Sequence, residues 1–149
     1  MRIVIQRVTR ASVSIEGRVE SAIEKGMMVL LGVGYADTDD DIDWLVKKTI
    51  NLRIFDDVEG VMNLSVKDVE GDILVVSQFT LMASCKKGNR PSYIHAASPD
   101  VSVPLYERFC QRLSESLGKP VATGVFGADM QVELVNDGPV TIVIDSKDK

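Results

Sequence analysis

The chain has 149 residues, 45% apolar and 26% charged, which gives a single domain spanning 1–149 with a proper core and excludes a disordered chain. A net charge of −5 argues against a protein that grips long nucleic acid such as DNA through its phosphates, while leaving room for contact with a short single-stranded end. No apolar run approaches the ~20 residues of a membrane span, and Arg2 precedes only three apolar residues before Gln6 and Arg7, so the expectation is a cytoplasmic protein with no membrane partner.

Residues 2–8 alternate loosely and predict a strand. Ala11 to Ile15 and Arg18 to Ile23 flank Glu16-Gly17, a two-residue hairpin turn. Gly26 closes that unit, and Met27 to Val33 is continuously apolar, as expected of a strand covered on both faces. The acidic run Asp37 to Asp41 lacks the spaced Gly and distal Glu of a calcium loop and fits a helix N-terminus. Ile42, Leu45, Val46 and Thr49 then recur at helical spacing.

Arg53-Ile54-Phe55 restores strand character, Asp57 to Gly60 forms a turn, and Val61 to Val66 and Ile73 to Phe79 predict further strands. Residues 82–98 form a long irregular stretch holding Gly88, Pro91 and the basic run Lys86 to Arg90. That run reads equally as surface solubility or as a patch steering phosphates. Ser98-Pro99 opens a second helix or a turn before it, and Pro104 sets the regular helix from about Ser102, with Leu105, Phe109 and Leu113 as its core stripe and Gly118 as its stop. Met130 to Val135 and Val140 to Ile144 predict the last strands, with Asn136-Asp137-Gly138 between them as good hairpin chemistry.

Cys85 and Cys110 have no Cys-x-x-Cys spacing and predict two reduced thiols. With His95 as the only histidine, no metal-ligand set is spaced along the chain, and no cofactor is expected.

Two segments carry the chemistry. In Asp72 to Leu81 an apolar strand gives way to Ser77, Gln78 and Thr80, neutral hydrogen-bonding groups that cost free energy at a core strand's end unless partnered. The other is Leu134-Val135-Asn136-Asp137-Gly138-Pro139-Val140-Thr141, where Pro139 opens a strand without an N–H. Together they resemble the D-aminoacyl-tRNA deacylases, which carry a Ser-Gln-Phe-Thr motif (here Ser77 to Thr80) and a Gly-Pro-Val-Thr motif (here Gly138 to Thr141). The likeness runs from Ile5-Gln6-Arg7-Val8 through Arg90-Pro91-Ser92 to Ala128-Asp129-Met130-Gln131-Val132.

The resemblance implies a three-layer α/β/β arrangement of two packed mixed sheets with two main helices on one side, and a homodimer. It also implies a cis Gly138–Pro139 bond entering the partner's pocket, where the two carbonyl oxygens capture the substrate's ammonium group and reject L-amino acids. The implied substrate is aminoacyl-tRNA bearing a D-residue, or glycine mischarged on tRNA(Ala), with the ribose 2′-hydroxyl helping to activate water.

For such an ester, Ser77, Gln78 and Thr80 would shape the pocket while the backbone N–H groups of Phe79 and Thr80 hold the carbonyl oxygen. Thr80 as nucleophile, or a triad built on His95, stays open, although Gly-x-Ser-x-Gly is absent. Arg7 would buttress the Gly-Pro loop or stand exposed on its strand. Phe126, Ala128 and Met130 are candidates to hold the terminal adenosine. A non-catalytic RNA-end binder and a small-ester hydrolase are the alternatives.

Overall fold

A computed structural model describes all residues 1–149. In chain order its elements are β1 (Arg2–Ile15), β2 (Arg18–Ile23), β3 (Gly26–Gly32), α1 (Asp39–Asn51), β4 (Phe55–Asp56), β5 (Met62–Leu64), β6 (Asp72–Ser77), α2 (Pro99–Leu117), β7 (Ala122–Thr123) and β8 (Gln131–Asp145). The main sheet runs β2-β1-β3-β6-β7, β8 lies along β1, and β4 and β5 form a small separate sheet.

The apolar runs of β3 and β6 pair in parallel at the centre, from Gly26 opposite Asp72 to Leu31 opposite Ser77. Alternation along β3 then builds two cores. Met27, Val29 and Leu31 join Ile3 and Ile5 against Ile42 and Leu45 of α1 and Leu105, Phe109 and Leu113 of α2. Met28, with Leu74 and Val76 of β6, faces the opposite way, onto Val8, Ala11, Val13 and Ile23, with Val132 and Leu134 beside them. Helices therefore cover one face of the central strands, and the far half of β1 with β2 and β8 covers the other. The result is the α/β/β layering.

Several boundaries differ from the sequence expectation. Residues 2–8 and 11–15 are one strand, β1, whose ladder with β8 shifts register between Gln6 and Val8 and again between Val8 and Arg10. Those shifts swap the buried side from Ile3 and Ile5 to Val8, Ala11 and Val13, so one strand serves both cores.

Helix α2 begins at Pro99 and carries Pro104 inside it. Pro104 is exposed and Asp100, whose carbonyl loses its usual donor, is exposed too, so the helix tolerates the missing bond at its solvent face. Residues 136–139 make no hairpin. Both halves of β8 continue antiparallel to β1. The short β7 was not foreseen, because Ala122-Thr123 is too brief to show a period. No helix is long and apolar enough to cross a membrane.

Candidate active site

The site begins where β6 stops. Gln78 continues the ladder by donating its N–H to the Leu31 carbonyl at 2.8 Å, and Phe79–Met82 then curl into a 3₁₀ turn closed by Leu81 N–H on the Gln78 carbonyl at 3.2 Å. The strand thus ends at Ser77, two residues before the expected Phe79. Gly32 makes this possible. A Cβ there would sit 2.9 Å from Leu81 Cβ and 3.1 Å from the Gln78 carbonyl oxygen, so only glycine lets the turn pack onto β3.

As the first residues of a helical turn, Phe79 and Thr80 have no preceding carbonyl within reach of their N–H groups, and neither donates to any acceptor in the chain. The Gln78 amide donates to the Thr80 hydroxyl, whose own proton stays free for another acceptor. No imidazole, ammonium or carboxylate is bonded to that hydroxyl. His95 instead lies against Tyr35, with ring centroids 6.3 Å apart, and makes no side-chain hydrogen bond to Ser77 or Thr80.

Beside the turn opens a cavity of about 290 Å³. Ser77, Gln78 and Phe79 line one wall, and Phe126, Ala128 and Met130 line another, so the motif and the adenosine candidates share one cavity. Thr80 lies just outside it. Leu31, Val33, Val76, Ser102, Gly127, Asp129 and Val132 complete the lining. Ser102, from the first turn of α2, was missed in the sequence because its hydroxyl, which donates to the Ser98 carbonyl at 3.0 Å, reads as ordinary helix-start chemistry. Tyr106 stiffens the Phe126 wall, with its ring edge-on at 5.8 Å and its hydroxyl donating to the Val75 carbonyl at 3.1 Å. Burial first, and then neighbouring Cys110, raises the Tyr106 pKa, so the phenol stays a donor.

Gly138 and Pro139 stand elsewhere. Thr141 pairs with Gln6 and Asn136 with Val8, so four residues of β8 oppose the single Arg7 of β1, and the excess projects as a bulge. Gly138 (φ +131°) and Pro139 form its exposed crest, joined by a cis peptide bond. A Cβ at Gly138 would lie 2.8 Å from Val140 and 3.1 Å from the Arg7 guanidinium.

Arg7 anchors the bulge from beneath. It is 7% exposed, which excludes the exposed-strand reading. Its Nε donates to the Asp137 carbonyl at 3.0 Å, and Nη1 to the Ile54 carbonyl at 2.7 Å and to Asp56 at 3.3 Å. The Asn136 amide braces the far side, accepting from Val140 N–H at 3.1 Å and donating to Thr141 at 3.1 Å.

In one chain the bulge and the cavity are apart. Ser77 is level with Leu31 and hence Ile3, whereas Gly138 is level with Arg7, four residues or roughly 13 Å along the strands. Three ladder steps, β6 to β3 to β1 to β8, add about 14 Å across.

Cys110 is half-buried and its thiol is pushed up to about 11 by burial, whereas Cys85 is exposed. No group of three His, Cys, Asp or Glu side chains is placed to hold a metal.

Comparison with known proteins gives a consistent picture. The family profile described as D-Tyr-tRNA(Tyr) deacylase matches residues 4–145. A D-aminoacyl-tRNA deacylase of Bacteroides fragilis (strain YCH46) is 66% identical over all 149 residues and 99% of that protein. One from Flavobacterium johnsoniae is 60% identical over the same span, again covering 99% of the relative. Among solved structures, the c-Myc DNA Unwinding Element Binding Protein superposes with a TM-score of 0.93 at 42% identity, covering 97% of this chain and 98% of the other. A probable eukaryotic D-amino acid tRNA deacylase, at 21% identity and a TM-score of 0.82 over 96% and 97% of the two chains, shares the fold.

Proposed function

The chain belongs to the D-Tyr-tRNA(Tyr) deacylase family, and on that premise we propose that it hydrolyses the ester of D-aminoacyl-tRNA, releasing the D-amino acid and free tRNA. The observation that carries the mechanism is the pair of uncommitted N–H groups at Phe79 and Thr80 beside the cavity. In this reading the ester carbonyl oxygen sits on those two donors. Each positioned donor is worth about 3–4 kcal/mol as negative charge develops on that oxygen. An aminoacyl ester is already reactive, so water assisted by the ribose 2′-hydroxyl completes the step without a protein nucleophile. The terminal adenosine occupies the wall of Phe126, Ala128 and Met130.

Chirality is judged by main chain. The Gly138 and Pro139 carbonyls of a second copy hold the substrate's ammonium group, a D-side chain points to solvent, and an L-side chain meets the Gly-Pro backbone. Glycine has no side chain to reject, so glycyl-tRNA, including glycine mischarged on tRNA(Ala), is cleaved as well. Two features support donation across a homodimer. Within one chain the bulge and the cavity are far apart. And β8 pairs only with β1, leaving an open strand edge beside the exposed Val135 and Val143, which a second copy would cover. Work on aminoacyl-tRNA places the homodimer in the cytoplasm.

Deacylation of D- and L-tyrosyl-tRNA in parallel tests the reading. Release of D-tyrosine with L-tyrosyl-tRNA left intact is expected. Absence of turnover would leave an RNA-end binder, and equal turnover of both would refute the chiral filter.

A further inference from the structure

The first cavity accounts for one nucleotide, and the surface on the other side of the same turn is built for more. A second cavity of about 510 Å³ lies there, lined by Met82, Ala83 and Ser84 of the turn's exit, Tyr35 and His95, and Lys86. The turn separating the two is four residues long, about 6–8 Å at the 3₁₀ rise. Backbone bonds between Ser84 and Ser92 in both directions (2.8 and 2.9 Å) close a finger over residues 85–91 that carries Lys86, Lys87 and Arg90.

These three cations make no ion pair, in a chain whose net charge is −5. By contrast, the nearby Arg2 and Lys147 are spent on Asp145 and Asp41. Beside the finger the chain exposes rings. Tyr35 is 66% exposed and stacks on His95, and Tyr93 packs edge-on to the site's own Phe79 at 5.0 Å. Flat rings for bases, next to unpaired cations for phosphates, are what a single strand of nucleic acid needs from a protein.

We propose that this surface binds the unpaired nucleotides immediately preceding the terminal adenosine. A base stacks on Tyr35 and His95, and Lys86, Lys87 and Arg90 hold the phosphates. The inference rests on the proposed aminoacyl-tRNA substrate and extends it. The enzyme reads the strand leading to the ester as well as the ester itself, and an acidic protein binds RNA through one local patch rather than an overall field.

The test compares D-tyrosyl-tRNA with the D-tyrosyl ester of adenosine, using wild type, the Lys86→Ala/Lys87→Ala/Arg90→Ala triple variant, and Tyr35→Ala. On tRNA both variants should raise KM with kcat unchanged. For Tyr35→Ala the rise should be about fivefold or more, the loss of one stacked base. For the triple variant the log–log salt slope should fall by about 2, so that wild type loses roughly 20-fold more affinity between 50 and 200 mM salt than the variant does. On the adenosine ester all three proteins should behave alike.

An unchanged KM on tRNA overturns the proposal. So does an equal loss on both substrates, which would make the finger a support for the turn, and so does a triple variant that changes oligomeric state, which would make this face a contact between copies. If wild type cleaves neither substrate, the deacylase reading has failed. Anisotropy with deacylated tRNA then still decides the inference: binding weakened tenfold or more in the triple variant supports it, and equal binding refutes it.

Discussion

Replacing Arg7 by Met removes every donor beneath the Gly138–Pro139 bulge while keeping much of the side chain's length. Two carbonyls lose their partners. That of Ile54 is buried, and its loss should cost about 1–3 kcal/mol, whereas that of Asp137 is half-exposed and, with water within reach, should cost about 1 kcal/mol. A total of roughly 2–4 kcal/mol in a chain of this length lowers Tm by about 4–16 °C. Only the Asp137 share bears on function, because that bond is the one Arg7 makes to the bulge. Losing about 1 kcal/mol there raises the population of displaced bulges about fivefold. If the bulge rejects L-residues, the ratio of kcat/KM for D- over L-tyrosyl-tRNA should then fall about fivefold, while D-tyrosyl-tRNA is still cleaved. Melting curves and paired deacylation assays measure both effects. A variant that loses stability but keeps its full preference for the D-substrate would refute the claim that this bulge judges handedness.

Thr80→Ala keeps the backbone N–H and should retain kcat to within about tenfold, whereas loss of a true nucleophile would cost about a millionfold. D-tyrosyl-tRNA ending in 2′-deoxyadenosine should react slowly, and undiminished turnover would exclude the hydroxyl from the step. Asp41 accepts from Thr38 N–H at 2.8 Å and from Lys147 at 2.9 Å. Burial alone would raise its pKa, but bonds from Ser146, Lys147 and Thr38 together hold it well below the usual carboxylate range. Its stabilisation is therefore present above about pH 4 and lost as pH falls further. Asp41→Asn should lower Tm by about 2–4 °C at pH 7 for each kcal/mol removed and leave a shallower acid transition. In native protein, iodoacetamide at pH 8 should modify Cys85 and spare Cys110, as peptide mass mapping would read; rapid labelling of Cys110 would contradict its burial.

The layering was legible because β3 and β6 are continuous apolar runs and because the stripes of α1 and α2 keep the 3.6-residue period. Ser77 to Thr80 stood out for the same reason, as polar groups closing an apolar strand. What the sequence hid was backbone geometry. Asn136-Asp137-Gly138 is equally good chemistry for a hairpin and for a bulge, and only the pairing of both halves of β8 with one partner, β1, distinguishes them. Arg7 looked like any strand arginine, since its burial follows from a register shift rather than from local pattern. Ser102 enters the cavity because α2 starts three residues earlier than Pro104 suggests. The meeting of residues 126–130 with Ser77 is a tertiary fact without a local period.

The central claim, that one copy's bulge serves the other copy's pocket, is tested most directly with mixed dimers. Gly32→Val should disable a pocket by pushing the 79–82 turn away from β3, since even a Cβ there would sit 2.9 Å from Leu81. Arg7→Met should spoil only the bulge. Two differently tagged copies, one with each change, are co-expressed and the hybrid purified through both tags. Its sole working pocket sits on the Arg7→Met chain. The account predicts that this hybrid recovers wild-type preference for D-tyrosyl-tRNA at about half the wild-type rate, because the intact bulge comes from the Gly32→Val chain. A hybrid as unselective as the Arg7→Met homodimer would contradict it.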